Sequence, residues 1–453
     1  MRFAELESRD VAIWGLGREG RAALAALRRR FPDKSLTLYC KREEAERARA
    51  QIDSRIRLVE TAPGTEALAS HGIVIKSPGI SAYKPEIIEA QKRGTHFTSG
   101  TALWFGENPD ARVIAVTGTK GKSTTTAMIA HLSRALGVRT ALAGNIGMPL
   151  LELDEQNADL WAIELSSFQT GDAGPVEVGV VVSLEEEHLD WHGTRERYIA
   201  DKLKLAAVSR ALLVDAQSPL LMQHTPGHPH RVTFGDAQGW HVGENAIRRG
   251  SERVFDLSEL PLAGAHNARN ACAALAALEL FGLDARAAAP ALRTFRPLPH
   301  RLQKLGLRHG VEWIDDSIAT TPAASLAALR SIGDRAATLI LGGFDRGLDW
   351  QGFTHELAAH PPRAVIVQGA NASRILEALS RAAVHAHIER ADDLDDAVRR
   401  ACELTPPGGV VLLSPGAPSF DRFKDYAARG RAFAALAGFD AAALGEIEGL
   451  GIN

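Results

Sequence analysis

Cysteine is scarce in this 453-residue chain. Cys40, Cys272 and Cys402 are the only three, and their spacing suits no shared metal. A disulfide framework is thereby excluded, and a reducing compartment fits. An excess of either charge is also missing. Lys and Arg number 52 against 55 Asp and Glu, a net charge of -3, which argues against a general nucleic-acid or membrane-surface binder. No apolar run approaches the ~20 residues of a membrane span. The amino terminus, Met1-Arg2-Phe3-Ala4-Glu5-Leu6-Glu7, is charged where a secretion signal has its apolar core. No fixed-period repeat or low-complexity tract occurs. A cytoplasmic protein of roughly two to four domains, each burying its own core, is expected.

What the chain does have is a phosphate loop. Residues 117 to 124 read Thr-Gly-Thr-Lys-Gly-Lys-Ser-Thr, directly after the apolar run Val113-Ile114-Ala115-Val116. A strand, a glycine-rich loop and a helix in that order suit a nucleoside triphosphate. Gly118 and Gly121 let backbone N–H groups approach phosphate oxygens that a Cβ would obstruct, with Thr119 and Lys120 between them. Lys122 supplies a cation for the β- and γ-phosphates, and Ser123 or Thr124 a hydroxyl for Mg²⁺. The loop is one residue shorter than the common form G-x-x-x-x-G-K-[ST]. The plain alternative is a glycine-rich turn with an incidental lysine.

Short β-branched runs alternate with alanine- and leucine-rich stretches throughout, the pattern of an α/β protein with mainly parallel sheets. Three blocks are expected, at 1–110, 111–296 and 297–453. The first opens with the strand Val11-Ala12-Ile13-Trp14, the turn Gly15-Leu16-Gly17-Arg18-Glu19-Gly20 and a helix to about Arg30. Further strands are expected at Leu36–Tyr39 and, as the third, at Ile73-Val74-Ile75. This is a Rossmann-like half, but Cys40-Lys41-Arg42 replaces the acidic residue that would bind a dinucleotide ribose. The second block carries the phosphate loop. The third begins near Arg296-Pro297-Leu298-Pro299, where prolines stop helices.

Downstream of the loop stand Gly144-Asn145-Ile146-Gly147, Glu164-Leu165-Ser166-Ser167-Phe168-Gln169, Glu187-His188-Leu189-Asp190 and Tyr198-Ile199-Ala200-Asp201-Lys202. Glu164 ends an apolar strand, where α/β folds place their ligands and where a carboxylate can hold Mg²⁺ against phosphates. His188 reads as a second metal ligand, a substrate contact or an ordinary structural histidine.

Taken together these segments resemble the Mur ligase family, ATP-dependent amide-forming enzymes of peptidoglycan precursor synthesis. Gly264-Ala265-His266-Asn267-Ala268-Arg269-Asn270, His300-Arg301, Asp315-Asp316-Ser317 and Leu413-Ser414-Pro415 extend the resemblance over nearly the whole chain. Glu164-Leu165-Ser166-Ser167-Phe168-Gln169 points to the MurD-type branch, which adds glutamate to UDP-N-acetylmuramoyl-L-alanine.

The resemblance implies a UDP-binding first domain, a central ATP-binding domain and a glutamate-binding last domain. Lys122 and Ser123 would bind ATP phosphates and Mg²⁺, with Glu164 and His188 helping to hold metal. Lys202 matches a carbamylated lysine, in which CO₂ turns a repelling ammonium into an anion able to support a second Mg²⁺. Lys122, His188 and Lys202 form the implied catalytic set. Asn267, Asn270, Arg301 and Asp316 match nucleotide contacts. Asn145 and His188 match substrate contacts, and Arg18, Glu19 and Gly79 fall where the first domain grips uridine diphosphate.

The third block departs from the usual branch pattern. A lysine of the family's Asp-Ser-Lys-Ala-Thr-Asn has become Ile318 in Asp316-Ser317-Ile318-Ala319-Thr320-Thr321. Another becomes Arg346 in Gly342-Gly343-Phe344-Asp345-Arg346-Gly347. Pro418 is added beside Ser419, and Tyr426 replaces phenylalanine. Arginine presents a planar fork where lysine presents a point charge. The set Thr320, Arg346, Ser419 and Tyr426 therefore reads as a re-aimed receptor for glutamate, and it resembles the subgroup that adds L-glutamate. A separate epimerase then inverts the terminal residue in that subgroup.

The rivals are the same ligation with D-glutamate, a dinucleotide-dependent oxidoreductase using the first block, a folylpolyglutamate-synthase-like ligase and a non-catalytic nucleotide switch. A monomer working without nucleic acid or a membrane span is expected.

Overall fold

The computed structural model describes residues 1–49, 52–185, 189–262, 264–445, 447 and 449–452. The chain folds as two compact units, Met1–Phe295 with Gly449–Asn453, and Arg296–Glu448.

The first unit holds a five-stranded parallel sheet in the order Ile56–Val59, Leu36–Tyr39, Val11–Trp14, Ile73–Lys76 and His96–Thr98. The middle three are buried throughout, which is why they read as unbroken apolar runs. Ile73–Lys76 is the fourth strand in chain order, not the third. The intervening Ile56–Val59 carries Arg57 and is only partly buried, so its apolar signal is weak. The helix Arg18–Arg30 buries Ala22, Ala23, Leu24, Ala26 and Leu27, and ends on three arginines that favour its negative dipole end.

The second sheet runs Arg231–Phe234, Ser209–Asp215, Val176–Val181, Val113–Thr117, Leu160–Glu164 and Thr140–Gly144, all parallel, and is closed by antiparallel Gly451–Ile452. A three-stranded antiparallel sheet, Trp240–Gly243, Ala246–Arg249 and Glu252–Asp256, follows it in the chain. Neither that sheet nor the return of Gly451–Ile452 is foreseen from the sequence. The helix Ala265–Phe281 is apolar nearly all round and buried accordingly, and Gly282 at φ 94° stops it.

The second unit is a six-stranded sheet in the order Gln303–Arg308, Val311–Asp315, Val410–Leu413, Ala337–Leu341, Ala364–Val367 and His387–Arg390. All pairs are parallel except the first, an antiparallel edge hairpin.

Candidate functional site

The phosphate loop leaves the carboxyl end of Val113–Thr117, between the ends of its two neighbouring strands. Its glycines are required by space as well as by conformation. Gly118 lies at φ 152°, where a Cβ would meet Val182 Cγ2 at 2.6 Å. Gly121 lies at φ 82°, where a Cβ would meet Asn270 Oδ1 at 2.5 Å. The helix Lys122–Ala135 starts immediately after Gly121, so its first N–H groups and positive dipole end face the loop. Lys122 Nζ donates to the Thr119 carbonyl at 2.9 Å. Ser123 and Thr124 fall in the helix's first turn, Ser123 half-buried and Thr124 buried. Lys120 pairs at the surface with Glu185, Nζ to Oε2 2.8 Å. Asn267 and Asn270, one turn apart on Ala265–Phe281, are both buried.

Glu164 ends the strand beside the loop and is 1% exposed. Its Oε1 accepts from Asn145 Nδ2 at 2.8 Å, while Oε2 is buried with no hydrogen-bond partner. Gly144 allows this approach, since a Cβ there would stand 2.3 Å from the Glu164 carbonyl oxygen. A buried carboxylate with one oxygen unmatched fits a divalent cation. Among the described residues no three His, Cys, Asp or Glu form a metal cage. Mg²⁺ commonly takes one or two carboxylates and completes its shell with phosphates and water, so the residues present fit it. His188, expected as metal ligand, catalytic group and substrate contact, lies outside the described residues.

Lys202 projects from the helix Arg195–Val208 beneath the loop. It is 2% exposed, donates to the Gly118 carbonyl at 2.8 Å, and has Nζ 4.9 Å from the centre of the Tyr198 ring. The Tyr198 hydroxyl lies 2.7 Å from that of Thr119. Beside it, Asp201 Oδ2 faces His192 Nδ1 at 2.7 Å, and His192 Nε2 faces Ser167 Oγ at 3.0 Å. Tyr83 donates to Asp201 at 2.8 Å. Burial raises the Asp201 pKa, but hydrogen bonds from His192, Lys204 and Tyr83 hold it down at about 2. Sequence reasoning passed over this network. Its members are 118 and 25 residues apart along the chain, and although Ser167 and Asp201 each stand in a motif, no spacing reports their link through His192.

Arg18, Glu19 and Gly79 flank the point where the first sheet's strand order reverses, between Val11–Trp14 and Ile73–Lys76. Open α/β sheets bind ligands in that crevice. Arg18 donates to the Gly147 carbonyl at 2.9 Å, and Gly79 is exposed with open space around it. The Glu19 carboxyl is pushed up to about 7 by burial and by neighbouring Glu152 and Asp172.

In the second unit, Asp316 accepts from Ser414 Oγ at 2.7 Å and from the Leu302 amide at 3.1 Å. Burial pushes its carboxyl up to about 7 against those hydrogen bonds and nearby Arg301. Arg301 Nε and Ser419 Oγ are buried without hydrogen-bond partners. Arg346 and Thr320 are exposed and half-buried, respectively. Tyr426 opens the helix Tyr426–Leu436, its ring edge-on to His300 at 6.0 Å.

A strand–loop–helix phosphate cradle with a carboxylate at the adjacent strand end is the arrangement of a nucleotide-binding protein. Residues 116–278 match the Mur ligase middle domain, and 300–416 match the domain described as Mur ligase, glutamate ligase domain. The chain belongs to the Mur ligase family of ATP-dependent ligases. It is 50% identical to the UDP-N-acetylmuramoyl-L-alanine--L-glutamate ligase of Xanthomonas euvesicatoria pv. vesicatoria (strain 85-10), over 100% of both chains. Among solved structures it resembles the UDP-N-acetylmuramate-alanine ligase MurC of Thermotoga maritima, with TM-score 0.61 and 19% identity over 94% of this chain and 98% of that one. It also resembles MurF ligase of the same organism in complex with ADP, with TM-score 0.55 and 16% identity over 88% of each chain. At those identities the structures speak for the fold alone.

Proposed function

We propose that this chain joins L-glutamate to UDP-N-acetylmuramoyl-L-alanine, with ATP converted to ADP and phosphate. The observation that carries the chemistry is the phosphate loop set against the unmatched oxygen of Glu164, one strand away. The full-length identity to a ligase of that name supports the substrates.

In this reading the alanyl carboxylate attacks the γ-phosphorus, its oxygen forming the new P–O bond as the bond to ADP breaks. Lys122 and the loop N–H groups stabilise charge on the transferring phosphoryl group. The neutral amine of glutamate then attacks the acyl carbon, phosphate leaves, and the amine proton passes to solvent or base. Ser123, Glu164, His188 and a carbamylated Lys202 would hold Mg²⁺, which when bound would neutralise phosphate charge. Gly118, Thr119, Lys120, Gly121, Thr124, Asn267, Asn270, Arg301 and Asp316 receive the nucleotide. Arg18, Glu19, Gly79 and Asn145 receive the UDP-sugar, and Thr320, Arg346, Ser419 and Tyr426 the glutamate.

The functional domains are 1–110, 111–296 and 297–453, binding UDP, ATP and glutamate in turn. No helix among the described residues is long and apolar enough to cross a membrane, and we place the enzyme in the cytoplasm as a monomer upstream of an epimerase. The reading is tested by ADP release. Release should require both UDP-N-acetylmuramoyl-L-alanine and glutamate and should yield a uridine nucleotide heavier by one glutamyl residue. ADP release that ignores either substrate contradicts it.

A further inference from the structure

Arg429 is among the largest fully buried side chains in the protein, 1% exposed, and no motif of the nucleotide or UDP-sugar site contains it. Its Nε donates to Ser317 Oγ at 3.0 Å, and Nη2 donates to the carbonyls of Ser317 at 2.8 Å and Ala417 at 2.9 Å. Ser317 Oγ in turn donates to the Tyr426 carbonyl at 2.8 Å. The third loop reaches the guanidinium at Gly343, by close packing and not by a hydrogen bond. A Cβ there would stand 2.9 Å from Arg429 Nη1 and 2.3 Å from the Pro418 carbonyl oxygen, which also accepts from the Phe344 amide at 2.8 Å. One guanidinium thus sits where three loops meet: the turn after Val311–Asp315, the turn after Ala337–Leu341 and the turn after Val410–Leu413.

Each loop carries a residue assigned to glutamate two or three positions from its tie. Thr320 follows Ser317, Arg346 follows Gly343, Ser419 follows Ala417, and Tyr426 precedes Arg429 by one helical turn. Burying a cation is costly unless its donors are matched; here Nε and Nη2 are matched by the Ser317 hydroxyl and by two loop carbonyls, while Nη1, against Gly343, has no hydrogen-bond partner. Burial draws the guanidinium pKa down to about 10, so it remains a cation at neutral pH.

We infer that Arg429 is a positioning residue for amino-acid selectivity, fixing the spacing of the three loops that receive the two carboxylates of glutamate. This rests on the proposed assignment of glutamate to that unit. A lysine cannot make the three bonds to Ser317 and Ala417 together and fill the space against Gly343, because its single nitrogen lacks the planar fork.

The test is Arg429→Lys in the full chain, with KM for glutamate and for ATP and the ratio of kcat/KM for L- over D-glutamate. KM for glutamate should rise at least tenfold with KM for ATP within twofold of the parent, and the enantiomer ratio should fall. Parental glutamate KM and ratio overturn the inference, as do equal rises in both KM values, the mark of a merely structural loss. If Arg429→Lys does not fold, Ser317→Ala decides. It removes the hydroxyl's bonds to Arg429 Nε and to the Tyr426 carbonyl, keeps the bond from Arg429 to the Ser317 carbonyl, and should raise glutamate KM about threefold while leaving ATP alone; no change overturns the inference. Failure here with a parent enzyme that uses L-glutamate leaves the proposed function standing. A parent that uses no glutamate removes that function instead.

Discussion

Lys202 and Gly118 are joined by a hydrogen bond of 2.8 Å, from a fully buried ammonium to a carbonyl of the phosphate loop. The lysine side chain therefore lies directly beneath the triphosphate cradle, 84 residues from its partner in sequence. Carbamylation would place an anion at that position. Lys202→Ala should be close to inactive and regain turnover when a short carboxylic acid is added to fill the carbamate's place. Parental activity without rescue would refute the carbamate.

Lys122→Ala removes the cation that reaches back to the Thr119 carbonyl while leaving the loop's glycines in place. Turnover should fall by about a hundredfold or more, the scale of losing one preorganised donor in a water-poor site. Near-normal kcat in a folded variant would show that phosphoryl transfer happens elsewhere.

Glu164→Gln keeps the shape and the Asn145 contact but removes the negative charge. The Mg²⁺ concentration giving half-maximal activity should rise severalfold, while the melting temperature without nucleotide stays within a few degrees of the parent. An unchanged Mg²⁺ dependence would mean that the unmatched oxygen does not meet the metal.

The acid limb of stability should carry the signature of Asp201. Its folded pKa is about 2 against an ordinary 3.8, so the folded state holds the charged form more tightly. That stabilisation is present above pH 4 and drains as pH falls through 3.8 towards 2. The stability gap between the parent and Asp201→Asn, read from denaturant midpoints, should narrow across that interval. A gap constant from pH 5 to pH 2 would contradict the assignment.

Much of this was legible in the sequence because it is local. Val113–Thr117, Gly118, Gly121 and Lys122 are contiguous, and the buried parallel strands announce themselves as apolar runs. Glu164 could be placed at a strand end from its position alone, though its unmatched oxygen could not. The Ile56–Val59 and Gln303–Arg308 strands escaped because edge strands carry charges and show weak alternation. The Trp240–Asp256 sheet is half-exposed, and its first turn, at Glu244 and Asn245, takes positive φ without a glycine at either position, although Gly250 at φ 59° marks the second. Arg429 stands in none of the motifs that the sequence displays. Its meaning depends on Ser317, 112 residues away, and no periodicity reports that.

Arg346 is an exposed cation on one of the loops we propose to receive glutamate, and its fork can pair a carboxylate through two parallel bonds. Arg346→Lys should weaken glutamate use far more than ATP use, seen as a rise in KM for glutamate with KM for ATP little changed. Equal loss for both substrates would remove Arg346 from the amino-acid site.

The most direct measurement gives the purified protein UDP-N-acetylmuramoyl-L-alanine, Mg²⁺-ATP and either L- or D-glutamate, and compares kcat/KM for the two enantiomers. With Ile318, Arg346 and Pro418 reshaping the amino-acid side while Lys122 and Glu164 keep the phosphoryl side, L-glutamate should be favoured at least tenfold, or ~1.4 kcal/mol. Efficient incorporation of D-glutamate with little of the L form would contradict the account.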